Sequence, residues 1–375
     1  MTASPAGLRE AAETLQAWLV EKAYPLWWEA GADLANGGFH DRLDRTGRPV
    51  QGPKRARVAA RQVFCFSHAA EFGWNGPWRL AMRHGLDFLE HAHRRTDGLY
   101  RSRVELGQER PDDRAELYDQ AFALLALNSA ERTGESSEAS ARELLAHLPL
   151  SPLGGFRELE GTGLFSNPNM HLFEVFIAWA ETAGEGVWFD LARDQARLAA
   201  ARLIDQDTGA IAEIYDDAWR PAADPAERDV WPGHQFEWAW LLMRFDAMAR
   251  AKAASPTALR LIDAAERLGV DHGRNVAFNA LSGLFERRDA DARLWPQTER
   301  LKAHLLAAKA TGEQCWWSAA ERAAQGLSLY LEDSGLWRDQ MKADGSFVDE
   351  PAPASSLYHI VGAILELKQV TGPDA

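Results

Sequence analysis

Apolar residues recur with helical spacing in runs at 8–28, 58–73, 78–94, 116–133, 137–147, 170–183, 188–204, 234–251, 256–271, 297–311, 316–331 and 355–370. The pattern predicts twelve helices and an all-α fold. Alternate runs differ in kind. Those opening at Leu117, His171, Phe236 and Leu357 are apolar nearly all round, whereas 188–204 and 256–271 carry Arg, Asp and Glu along one side. A helix without a polar face must be buried, and one with a polar face lies against the core with that face in water. The chain therefore alternates inner and outer helices. Gly, Asp and Asn clusters such as 36–39, 97–100, 207–210 and 343–346 separate them, and these predict short β-hairpins on one rim.

Polar positions at the openings of the inner helices repeat. Arg57, Tyr118, His171, His234, Gln297 and His359 are spaced by 61, 53, 63, 63 and 62 residues. A helix pair of that length is too small to bury its own apolar face and must stack on its neighbours. Six such units close a ring, and no linker or low-complexity segment interrupts them. A single domain over 1–375 is expected.

Composition narrows the function. The formal net charge of −14 argues against nucleic acid and anionic membrane as partners, since both require concentrated positive charge. A small neutral ligand suits the chain better, and 15 tryptophans exceed what packing needs, leaving some to line a pocket. Two cysteines, Cys65 and Cys315, indicate neither a disulfide framework nor a thiolate metal site, which fits a reducing compartment. The first residues lack a secretion signal's apolar stretch, and no window reaches the roughly 20 apolar residues of a membrane span. A cytoplasmic protein, monomer or homodimer, is expected.

Inner helices running the same way bring their N-terminal ends, with free N–H groups and partial positive charge, to one end of the ring. In Trp231-Pro232-Gly233-His234 a Pro-Gly pair delivers a histidine to such a mouth, with Glu237 one turn further on the same face. His171 follows Asn167-Pro168-Asn169, and His359 follows Ser355-Ser356. One histidine at a helix mouth is ordinary capping, but three in phase point to a shared site. Imidazole, with an unperturbed pKa of about 6.5, both accepts and releases protons near neutrality. A metal centre competes for the same histidines, although short ligand spacings such as His-Glu-x-x-His are absent, and no metal or other cofactor is expected. The carboxylates Asp119, Glu174, Glu237 and Glu299 offer a glycoside-hydrolase alternative, with Glu299 equally able to pair with Arg300. Trp295 leads the aromatics suited to stacking on a sugar. Arg57 has an inward role by its phase, holding a carbonyl or enediolate oxygen. A non-catalytic carbohydrate-binding ring is the third class.

Six segments then carry a resemblance: 57–62 (Arg-Val-Ala-Ala-Arg-Gln), 117–122, 167–174, 232–238, 294–299 and 356–360. Together they resemble the N-acylglucosamine 2-epimerase superfamily, which includes mannose isomerases, sulfoquinovose isomerases and cellobiose 2-epimerases. The resemblance implies an (α/α)6 barrel and a cofactor-free 1,2-proton shift on a reducing sugar. It further implies His234 and His359 as the acid/base pair. His171, Arg57, Tyr118, Asn167, Glu237 and Trp295 would bind the sugar or assist ring opening. A sugar isomerase interconverting mannose and fructose through a cis-enediol is the leading expectation, and a sugar 2-epimerase is the alternative.

Overall fold

In the computed structural model, residues 5–105, 107, 112–252 and 255–372 are described. The first outer helix is α1 (Ala6–Trp18), carried through a π turn into α2 (Tyr24–Glu29). Inner and outer helices then alternate: α3 (Ala56–Ser67) and α4 (Trp78–Phe88), α5 (Leu117–Arg132) and α6 (Glu138–Ala146), α7 (Ser166–Ala183) and α8 (Val187–Leu198). The series ends with α9 (Pro232–Met248) and α10 (Ser255–Gly269), α11 (Leu294–Thr311) and α12 (Gln314–Ser328), and α13 (Ser356–Thr371). With α1 and α2 taken as one bent helix, these are the twelve helices of an (α/α)6 ring.

The alternation of pattern becomes an alternation of burial. In α9 every residue from Pro232 to Met243 is buried, whereas α10 buries Ala258, Leu261, Ile262 and Ala265, a single stripe. Each inner helix packs on its outer partner and on the inner helices to either side, and α13 closes the circle by packing on α3 and α1. One connected apolar cluster runs from Leu8 to Val370. Among the described residues no helix is long and apolar enough to cross a membrane.

Three inner helices begin earlier than the periodicity predicts: α7 at Ser166, α9 at Pro232 and α11 at Leu294. Pro168, Pro232 and Pro296 fall within these first turns, where proline is tolerated because its missing N–H has no intrahelical acceptor anyway. Asn167 and Trp295 thereby sit on helices, with defined directions.

The extended pieces are of two kinds. Tight turns after the outer helices are closed by bridges such as Ala32 with Phe39, Arg94 with Tyr100 and Leu331 with Trp337. Two-residue ribbons instead join neighbouring units, as where Lys54–Arg55 pairs with Arg103–Val104 and Ala292–Arg293 with Gln340–Met341. Arg42–Leu43 pairs with Ala352–Pro353 and so ties the first unit to the last.

The inner helices clamp these turns through side-chain amides. Gln120 accepts from the Tyr100 N–H at 2.8 Å and donates to its carbonyl at 2.9 Å. Asn169 does the same for Phe156, Gln235 for Ile211 and Gln297 for Ala277. Gln297, which shares the period of the helix-opening positions, therefore belongs to this set of clamps. Burial of the turn backbone requires such partners.

Candidate active site

The N-terminal ends of the inner helices surround a cavity of about 340 Å³, and Arg57, Tyr118, Asn167, His171, His234, Glu237, Trp295 and His359 all line it. Eight positions spread over six helices are thus gathered in one hollow.

His234 and His359 are built alike. The Nδ1 of His234 lies 2.9 Å from the carboxylate of Glu213, and the Nδ1 of His359 lies 2.9 Å from Glu299 Oε1. A carboxylate at Nδ1 fixes the proton there and leaves Nε2 with a free lone pair. Trp295 packs on both rings, 4.9 Å from His234 and 5.8 Å from His359 by ring centroid. Gly233 permits this approach, because a Cβ at that position would stand 2.5 Å from the Trp295 ring. Trp231 also stacks on His234 at 4.9 Å, its ring 6.4 Å from that of Trp295. Burial pushes His359 well below the ordinary imidazole value, with Arg61 and Lys302 adding to the effect, so it is neutral at pH 7.

Glu237 is buried, and neither of its oxygens has a hydrogen-bond partner among the described residues. Burial, reinforced by Glu299, raises its pKa well above the usual carboxylate range. The shift favours the protonated form, which can donate as well as accept. Asn167 Oδ1 and Arg61 Nε are likewise buried and unpartnered, and both residues line the cavity. Buried polar groups are rarely left this way unless something else completes them.

Arg57 is held differently from its expected role. Its Nε and Nη2 grip the Asp119 carboxylate at 2.8 and 2.9 Å, Nη2 also reaches Glu116, and the guanidinium stacks 4.7 Å from the Tyr118 ring. Among the described residues its Nη1 has no hydrogen-bond partner. Arg61, one turn beyond Arg57 on α3, donates to the Tyr118 hydroxyl at 2.7 Å and sits 4.1 Å from the Phe122 ring.

Beneath the cavity lies a floor of buried ionisable groups. His171 Nδ1 is 3.3 Å from Glu174 and 3.7 Å from Glu237, and burial depresses its pKa to about 4. Tyr358 donates to Glu174. Lys302 Nζ stands 2.5 Å from Glu299. Two sets, His171, Glu174 and Glu237, and Glu237, Glu299 and His359, each bring three ligand atoms within 4.8 Å of one another, the spacing of a cation site. Sequence spacing hides these sets because every member but one pair comes from a different helix. In the second set the ammonium of Lys302 supplies positive charge.

Glu299 does not pair with Arg300, which turns outward to Glu266 at 2.7 Å. Glu213 was absent from the sequence candidates. Its one clue is a lone carboxylate in the apolar stretch Ala210-Ile-Ala-Glu-Ile-Tyr, and nothing local connects it to a histidine 21 residues on. Asp339, hydrogen-bonded by Ser356 at 2.7 Å, also lines the cavity without a sequence signal.

Comparison with known proteins accords with this geometry. The pattern of the N-acylglucosamine 2-epimerase (GlcNAc 2-epimerase) family matches residues 37–363. The chain belongs to that family. It is 41% identical over 372 residues to a mannose-6-phosphate isomerase of Rhizobium meliloti, covering 94% of this chain and 96% of the relative. A crystal structure of D-mannose isomerase superposes with a TM-score of 0.87 at 21% identity, covering 98% of this chain and all of that one (100%). Cellobiose 2-epimerase from Bacillus thermoamylovorans follows at 0.85 and 18% identity, covering 96% of this chain and 99% of that chain. The protein is an enzyme of the sugar isomerase and epimerase class with the (α/α)6 fold of those structures.

Proposed function

We propose that the enzyme interconverts an aldose and its ketose by a 1,2-proton shift, with mannose and fructose as the leading pair. The observation that carries this reading is the pair of imidazoles, each fixed at Nδ1 by its own carboxylate and packed on a shared indole. In the open-chain sugar, neutral His359 removes the proton on C2. The C–H electron pair becomes the C1=C2 bond of a cis-enediol, and O1 takes a proton from Glu237. O2 then returns a proton to Glu237 as C2=O forms, and His359 delivers its proton to C1. Both groups end as they began. His234 serves the proton transfers of ring opening. Asn167, Tyr118 and the remaining donor of Arg57 hold sugar oxygens.

Two further readings have support. A second imidazole able to reach the opposite face would reprotonate C2 and give an epimer, and the cellobiose 2-epimerase likeness keeps that outcome open to test. The 41% identical relative bears the name mannose-6-phosphate isomerase, and Arg42 and Arg293 line the mouth with no ion pair within 4 Å among the described residues, although Asp339 and Glu350 stand there too. The free thiols Cys65 and Cys315 support a cytoplasmic setting, and a monomer or homodimer suffices because every catalytic group comes from one chain. Incubation with mannose, and separately with mannose 6-phosphate, in heavy water followed by NMR tests the proposal. The ketose as first product is expected. Glucose as first product would establish epimerisation, and inertness of both sugars would refute the reading.

A further inference from the structure

Lys302 does not line the sugar cavity, yet it reaches the catalytic floor from the other side. The C-terminal halves of the inner helices enclose a second cavity of about 350 Å³, and Lys302 lines it together with Glu174 and Tyr358. Its side chain is 2% exposed, its Nζ lies 2.5 Å from Glu299 Oε2, and it rests 3.6 Å from the centre of the Trp240 ring. Glu299 in turn meets His359 Nδ1 through its other oxygen at 2.9 Å. Burying an ammonium costs several kcal/mol, and packing alone would be served as well by methionine or leucine. The reaction gives it a purpose.

Glu299 is wholly buried beside Glu237 and Glu174, surroundings in which a carboxylate without a cation takes up a proton. Protonated Glu299 would donate to His359 Nδ1 and drive the imidazole proton to Nε2, the nitrogen left for the sugar. His359 would then have no lone pair for the C2 proton. We propose that Lys302 is a positioning residue of the isomerisation, which keeps Glu299 a hydrogen-bond acceptor and so fixes His359 in the tautomer of a base. The inference rests on His359 acting as the base.

The test combines two substitutions with a readout independent of turnover. Lys302→Met keeps the length and removes the charge; kcat is expected to fall at least about thirtyfold while KM stays within about threefold. Nitrogen NMR of the labelled His359 ring should show the proton on Nδ1 in the wild type and on Nε2 in Lys302→Met. Lys302→Ala joins its vacated volume to the rear cavity, through which propylammonium can enter and restore at least about tenfold of the lost kcat, with 1-propanol failing. An unchanged His359 tautomer in Lys302→Met, or equal rescue by 1-propanol, would overturn the proposal. Should the wild type isomerise no sugar, the functional reading fails by itself and the tautomer still decides the role of Lys302.

Discussion

The ring has two cavities of nearly equal size, about 340 Å³ at the N-terminal ends of its inner helices and about 350 Å³ at their C-terminal ends, and they differ in how their polar groups are satisfied. In the rear cavity each charged side chain has a partner within the protein: Arg244 with Glu181, Arg132 with Glu71, Glu366 with the Trp240 N–H, Lys302 with Glu299. In the front cavity Glu237, Asn167 and Arg61 keep buried atoms without a hydrogen-bond partner among the described residues. Volume alone therefore does not distinguish a binding site. Unfinished hydrogen bonding does, because a ligand that completes it recovers the desolvation already suffered by those groups.

The comparison can be broken most forcefully at the histidines. His359→Asn and His234→Asn are each expected to lower kcat by about 10³-fold while sugar binding, measured by calorimetry, persists. Retained turnover in either would remove the front cavity's claim to the chemistry. Next comes Glu237→Gln, which keeps a donor but cannot exchange a proton between O1 and O2. A fall in kcat of about 10²-fold with little change in KM is expected, read from steady-state kinetics.

The floor between the cavities supplies a pH test. His171 has a folded pKa of about 4, below the unfolded value near 6.5, so the unfolded chain takes up a proton the folded one refuses. Its contribution is complete above that unfolded value and is lost as pH falls toward 4. Denaturant unfolding at pH 7 and pH 5 should differ by about 2 kcal/mol more in the wild type than in His171→Gln. Asn167→Ala, smaller still, should raise KM about tenfold or less with kcat held, as expected for one lost hydrogen bond to sugar. The smallest effect belongs to the rear. Glu366→Gln keeps the partner of Trp240, and kcat and KM should stay within about twofold of wild type. A larger change would show that the rear cavity takes part in substrate handling.

The ring and its site were legible in the sequence because one physical constraint, burial of inner helices, sets both the hydrophobic pattern and the recurrence of helix mouths. Phase within a mouth was less legible. Successive helix residues point about 100° apart, so His234 enters the cavity while Gln235 clamps Ile211. An alignment loose by one residue cannot separate these roles: Gln297 falls in phase with His234 yet clamps Ala277 as Gln235 clamps Ile211. Glu213 and Lys302 were illegible for another reason. Their importance comes from partners on other elements, His234 across a loop and His359 through Glu299, and neither distance is encoded in local spacing.

Closure of the ring has a consequence for synthesis. Arg57 stands on the first inner helix and His359 on the sixth, and the ribbon of Arg42–Leu43 with Ala352–Pro353 joins units far apart in the order of synthesis. A ribosome-bound chain lacking α13 has an open flank where Tyr358 and His359 belong. On the proposed roles, the base His359 joins the other site residues only with the closing helix, so a chain stopped before α13 is expected to be inert toward sugar.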